Sequence, residues 1–130
     1  MPVPTTYSAN DDLVPIYVQD AAVLPDSIAR LHEEAARQIN DDLRARGWDD
    51  EDLAALTETA LANLVKPACC YVMALLFEEK SNSERGTESL DKAKHWETKY
   101  KAALAAAVIT TTLEQPDDPA PRAGGYVVLG

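Results

Sequence analysis

The side chains with the most reactive chemistry in this sequence are two histidines, two adjacent cysteines and a run of four acids. His32 opens His32-Glu33-Glu34-Ala35-Ala36, which begins as a zinc-protease helix does. Such a helix needs a second imidazole at i+4 so that both rings face one metal, and position 36 is alanine. His95 is remote in sequence, and the pattern places both histidines on charged helix faces without a shared site. Asp49-Asp50-Glu51-Asp52 offers closely spaced carboxylates, but Leu53 and Ala54 stand where a calcium loop requires a ligand and a glycine. Acids in such a run suit the first turn of a helix, where they meet unpaired N–H groups and the positive end of the macrodipole. A nucleophilic Cys69 or Cys70 would need a nearby base and an electropositive setting, and its neighbours are apolar. Adjacent on a helix, the two point about 100° apart and rarely close a disulfide. They read as reduced thiols serving as small hydrophobes in a cytosolic compartment. Neither a glycine-rich phosphate loop nor a Cys/His metal spacing occurs. The expectation is a soluble, non-enzymatic protein with no catalytic residue, cofactor or metal, which works through its surfaces and its extended ends.

The elements that position these residues are helices. Residues 1–12 read as an arm, with Pro2, Pro4 and a polar run ending in Asn10-Asp11-Asp12. Asn10 or Asp11 can cap a short turn through Leu13, Ile16 and Tyr17. Pro25-Asp26-Ser27 suits the start of the first long helix, along which Ile28, Leu31, Ala35, Ile39 and Leu43 form an apolar stripe. Arg30, Glu33, Glu34, Arg37, Asp41 and Arg44 fill its other face, and Gly47 ends it. The acids after Trp48 open a short helix to about Leu56, and Thr57-Glu58-Thr59 opens a longer one. That helix carries the strongest periodic signal, with Leu61, Leu64, Val65, Ala68, Val72, Leu75 and Leu76 at helical offsets. Cys69, Tyr71, Met73 and Phe77 flank the stripe, so this is expected to be the central helix, with a kink at Pro67. Ser81 to Gly86 reads as a polar turn, and Thr87 as the cap of a last helix. Its stripe runs Leu90, Ala93, Glu97, Tyr100, Leu104 and Val108, and Glu97 breaks it, shifting the seam toward Trp96. Three threonines from Thr110 disfavour continuation.

The fold class is therefore all-α. A small bundle of three main helices with short ones occupies 21–109, after an arm with a short helix over 1–20 and before an extended segment over 110–130. With 46% hydrophobic and 26% charged residues, the 130-residue chain has the composition of one folded domain. Only five glycines occur, too few for a protein built from tight β-turns. The net charge of −10 is uneven: residues 1–79 carry all of it, 80–101 carry +2 and the remainder −2. Nucleic-acid binders gather Lys and Arg to displace counterions from phosphate, and anionic membranes repel acidic surfaces, so neither partner is expected. The split permits acidic-to-basic packing between copies, although charges that only keep the chain dissolved would look the same. Met1 to Thr6 has no basic stretch followed by an apolar run, so no signal peptide is expected, and Pro67 to Phe77 is too short to span a bilayer.

Beyond Thr110, Pro116, Pro119 and Pro121 with Asp117 and Asp118 make a stiff polar linker. Gly124-Gly125-Tyr126-Val127-Val128-Leu129-Gly130 then forms a flexible joint and a short apolar β-type segment. These residues read as a peptide that docks on a partner, as an added strand for example. A frayed end with chance hydrophobics is the other reading.

The order of these features resembles the head–tail connector family of tailed bacteriophages. The likeness covers about residues 10–108. It rests on the Leu24-Pro25 to Leu43 helix, then Leu64-Val65-Lys66-Pro67-Ala68-Cys69-Cys70-Tyr71-Val72-Met73-Ala74-Leu75-Leu76-Phe77, then the Ser81 to Gly86 turn. Asp91-Lys92-Ala93-Lys94-His95-Trp96-Glu97-Thr98-Lys99-Tyr100 completes it, with alternating lysines and acids ahead of aromatics. It is a likeness of pattern, without an invariant motif. What the resemblance implies is a structural virion protein made in the host cytoplasm and placed in the neck of the particle. Such adaptors form a ring, usually dodecameric, below the portal protein, and their extended ends reach the portal or the next neck or tail-completion protein. DNA passes through the ring without sequence-specific binding. The alternative is a helix-turn-helix DNA-binding regulator or small packaging subunit, with Arg44-Ala45-Arg46-Gly47-Trp48 before a short recognition helix.

Overall fold

The computed structural model describes residues 3–9, 11–13, 29–84 and 87–113, and the side chains of 80–89 lie outside that description. Among the described residues, four helices follow one another: α1 (Ala29–Ala45), α2 (Asp50–Ala54), α3 (Glu58–Glu84) and α4 (Thr87–Ala106). Residues 11–13 are also helical. No strand occurs among the described residues, only an isolated antiparallel bridge between Leu56 and Thr111. The fold is all-α.

Each boundary has a local cause. Leu31, Ala35, Ile39 and Leu43 step along α1 at intervals of four and are all at most 1% exposed, so one face is fully committed to the core. Gly47 stops the helix with φ of +102°, a backbone state that L side chains avoid. Its N–H donates to the Arg44 carbonyl at 3.0 Å, and the Trp48 N–H reaches the Leu43 carbonyl at 3.0 Å. Those two bonds form a Schellman cap, and Trp48 and Leu43, the two positions that such a cap joins by apolar contact, are both buried. The acids that follow open α2 as their composition predicts. Asp49 Oδ1 accepts from the Asp52 N–H at 2.9 Å, and Asp52 Oδ2 accepts from the Asp49 N–H at 3.0 Å. This reciprocal capping box is built from two aspartates. Thr57 starts α3 in the same way, its hydroxyl accepting from the Ala60 N–H at 3.1 Å.

α3 is the central helix and packs against both α1 and α4. It runs for 27 residues and continues through Pro67, whose ring is fully buried. Helix also covers residues 81–84, so the polar stretch read as a turn from Ser81 begins as the last turn of α3. Of the periodic stripe, Leu64, Ala68 and Val72 are fully buried, whereas Leu61, Val65, Leu75 and Leu76 are half-buried against the core. Cys69, Cys70, Met73 and Phe77, expected on the flanks, are buried too. The helix is therefore covered around most of its circumference near its middle. The apolar segment is also longer than Pro67 to Phe77. Glu58–Glu79 has the length and composition of a membrane-crossing helix, at mean hydropathy 1.7, and 56% of that window is buried within the fold, as a core helix requires. On α4 the seam shifts to Ala93, Trp96, Tyr100 and Leu104, with Ala107 continuing it just past the helix and Glu97 left outside. Leu90, placed in the stripe by periodicity, is 40% exposed. Burying each large aliphatic side chain of this core contributes about 1.5–3 kcal/mol.

The two flanking segments begin on the body itself. Residues 3–9, within the stretch read as an arm, lie against α1, with Tyr7 buried. After α4, the Thr57 N–H donates to the Thr110 carbonyl at 3.1 Å and the Thr112 N–H to the Ala55 carbonyl at 2.7 Å. The start of the 110–130 segment is thus pinned at the α2–α3 junction. The start of α1 near Pro25, Ile28 in its stripe, the Ile16–Tyr17 turn, and residues 114–130 lie outside the described residues. Gly47→Ala is expected to cost about 1–2 kcal/mol through the positive φ, and Asp49→Ala about 1 kcal/mol through the lost cap. Urea unfolding followed by circular dichroism reads both, and unchanged midpoints would refute this account of the α1–α2 corner.

Candidate functional site

The reactive side chains singled out in the sequence do not converge. His32 is buried at 3% exposure, not on a charged face: it lies seven residues before Ile39, on the same side of α1. Its Nδ1 is 2.6 Å from the Ser8 hydroxyl. His95 is exposed and meets the Trp96 ring edge-on at 5.2 Å between centroids. Cys69 and Cys70 are buried and neither is in a disulfide. Burial pushes the Cys69 thiol up to about 12, and the Asp12 carboxylate adds to the shift, so the thiolate that nucleophilic chemistry needs is scarce at neutral pH. Asp49 and Asp52 are used in capping. Asp50 accepts from Arg44 Nε at 2.6 Å, and Arg44 also holds Asp41 at 2.9 Å. Among the described residues, no group of three His, Cys, Asp or Glu could hold a metal ion.

What the helices do bring together is a hydrogen-bonded seam on α1. Tyr7 donates its phenol to Asn40 Oδ1 at 2.5 Å, and Asn40 Nδ2 donates to the Pro4 carbonyl at 3.0 Å. Asn40 is eight residues after His32, so both face the 3–9 segment, and each polar group it buries there finds a partner. Farther along, the Tyr100 phenol of α4 donates to the Asp42 carboxylate of α1. The Tyr100 ring meets Tyr71 of α3 edge-on at 4.8 Å, so three helices share one polar joint. Burial raises the Tyr7 phenol far above its ordinary 10. Burial and then the Asp42 hydrogen bond do the same for Tyr100. Both stay protonated as donors. None of Tyr7, Ser8, Asn40 and Asp42 stands out in the sequence. The available signal is polar His32 and Asn40 in register with an apolar stripe, which demands buried partners.

Two of the surface grooves among the described residues flank this frame. One, of 370 Å³, lies between the 3–9 segment and α1 and includes Val3, Pro4, Arg37, Asn40 and Arg44. The other, of 460 Å³, lies between α3 and α4, with Lys66 and Cys70 on one side and Trp96, Lys99, Ala102, Ala103 and Ala106 on the other. Small alanines keep it open, and Lys99 Nζ sits 4.7 Å from the Trp96 ring centroid. Its lining is apolar, with ammonium groups from both helices. The docking residues expected from sequence, Gly124, Gly125, Tyr126, Val127, Val128 and Leu129, lie outside the described residues. The presumed recognition helix α2 has five residues, and its exposed Asp50 and Glu51 would oppose phosphate. No family model, no curated protein and no solved structure matches this chain.

Burial holds the His32 imidazole below its ordinary 6.5, and the Asp12 carboxylate opposes the shift. The unfolded chain therefore takes up a proton that the folded chain resists. Stability from this group is present above 6.5 and falls as pH drops below it. Wild type is expected to lose more stability than His32→Gln between about pH 7.5 and 5.5, and parallel curves would refute the assignment. Tyr100→Phe should cost about 1.5 kcal/mol by depriving Asp42 of its donor, read by thermal unfolding. An unchanged midpoint would place that bond in water.

Proposed function

We propose that this chain is a structural subunit of a tailed-phage neck, a ring-forming adaptor below the portal vertex, and not an enzyme. The observation that carries the reading is the distribution of charge and apolar surface over one helical body. Asp49, Asp50, Glu51 and Glu58 are exposed within ten residues around α2 and the start of α3. Lys94, Lys99 and Lys101 are exposed on α4, and Lys66 is exposed on α3 beside the groove. Exposed acids around α2 and exposed lysines on α4 let copies pack side by side in a head-to-tail sense, which closes into a ring when the rotation is right. The helix order also supports the reading: a long amphipathic α1, a central apolar α3 and a lysine-bearing α4 with aromatics are the features that carry the family resemblance. The acidic excess suits a wall past which DNA slides, because like charge keeps the duplex from adhering. In this reading the partners are further copies of the chain, the portal protein and the next neck protein, and the protein resides in the virion.

Mass photometry of the purified chain, alone and with portal protein, tests the reading. A closed ring of defined copy number, dissolving as salt rises, is expected. Duplex DNA should not be retained at moderate salt. A chain that stays monomeric with portal present, or one that binds duplex tightly, would refute the adaptor assignment.

A further inference from the structure

We propose that Tyr126-Val127-Val128-Leu129 of one copy seats in the α3–α4 groove of the next copy, with the acids of the linker drawn to Lys66 and Lys99. The proposal rests on the ring reading and supplies its contact. The groove offers 460 Å³ between an indole and a row of alanines, space that β-branched and aromatic side chains can fill. Lys66 and Lys99 are both exposed where they border it, one from each helix. The segment that would enter has the matching chemistry: Glu114, Asp117 and Asp118 precede four consecutive apolar residues. Charge on the linker meets charge on the rim, and apolar side chains meet the apolar lining.

Length permits a second copy, and the ring reading selects it over the same one. The described chain leaves the body at Leu113, next to the bridge that joins Thr111 to Leu56. Lys66 lies nine residues along the chain from Thr57, about 14 Å of helix. The linker from 114 to 125 has twelve residues with Pro116, Pro119 and Pro121. Twelve residues at about 3.1 Å each can reach about 37 Å at most. That is more than twice this helical rise, enough reach for a groove on a neighbouring body. Because the tail and the groove are different surfaces, the contact repeats from copy to copy.

The test uses the full chain and two double variants. Lys66→Glu/Lys99→Glu alters the groove, and Val127→Asp/Leu129→Asp alters the tail. Circular dichroism should show unchanged helix in both. Equal amounts of 15N-labelled and unlabelled protein are mixed and treated with a zero-length carbodiimide. The expected products join Lys66 or Lys99 of one isotope to Asp117 or Asp118 of the other, and each variant alone loses them. Sedimentation should show association weakened at least about tenfold in each variant. Mixing the two variants should restore a one-to-one pair that grows no further, since one intact tail and one intact groove remain. Links confined to one isotope, or association equal to wild type in both variants, would overturn the proposal. Closed rings that persist in both variants overturn the docking while leaving the adaptor reading standing. Mixed-isotope links in species that never close, with or without portal, retain the docking and sink that reading.

Discussion

A helix of 27 residues that is apolar around most of its circumference must be covered, and nearly everything else in this molecule follows from covering α3. Water gains no favourable contact with Leu64, Val72 or Met73, so burying them is the main driving force for folding. α4 takes one side and α1 another. Neither alone presents enough apolar surface to enclose α3, and the remaining contacts come from pieces without long regular structure, including Leu13, Tyr7 and Ile109. Pro67 is tolerated within this arrangement because packing, rather than propensity, keeps the helix in place. The absent N–H is one bond among many, whereas the ring fills core volume.

Several polar groups that penetrate this apolar body work between elements. Asn40 uses its amide in both directions, accepting from Tyr7 and donating to Pro4. Asp42 joins α1 to α4 through Tyr100. Asn63 of α3 donates to the Val108 carbonyl at 3.1 Å, securing the chain just beyond α4. Such bonds add little net free energy each, but an unmatched partner in the interior is costly, so they fix which surfaces may meet. By contrast, the exposed ion pairs of Arg30 with Glu34 and Glu79 sit in water and contribute little.

Much of the architecture is legible in the sequence because local chemistry and long-range packing agree there. The stripe on α1, the Gly47 stop, the acids opening α2, the Thr57 start and the seam shift to Trp96 are all short-range signals that the tertiary structure respects. Sequence and structure differ where the two levels part. Ser81 to Glu84 are polar and look like a turn, yet nothing in their backbone chemistry forbids helix, and α3 carries on. Glu33 and Glu34 beside His32 suggest a charged face, although the spacing of His32 to Ile39 is that of the core. The laying of residues 3–9 on α1 is not legible at all, since proline-rich polar stretches carry no period. Partner choice there depends on Asn40, thirty-three positions away from Tyr7, and on His32 beside Ser8. The two grooves are equally hidden, because a groove arises from the side chains that are missing between helices.

The small bridge between Leu56 and Thr111 has a mechanical meaning. Its two backbone hydrogen bonds, Thr57 to Thr110 and Thr112 to Ala55, lie between the last helix and everything that follows. Tension applied to residues beyond Leu113 must first break those bonds before it can peel the terminal turn of α4. The force is delivered to the root of α3, the most deeply embedded rod in the body, and so is shared with the whole core. A chain tethered through this segment would resist pulling as a unit instead of unravelling from its end.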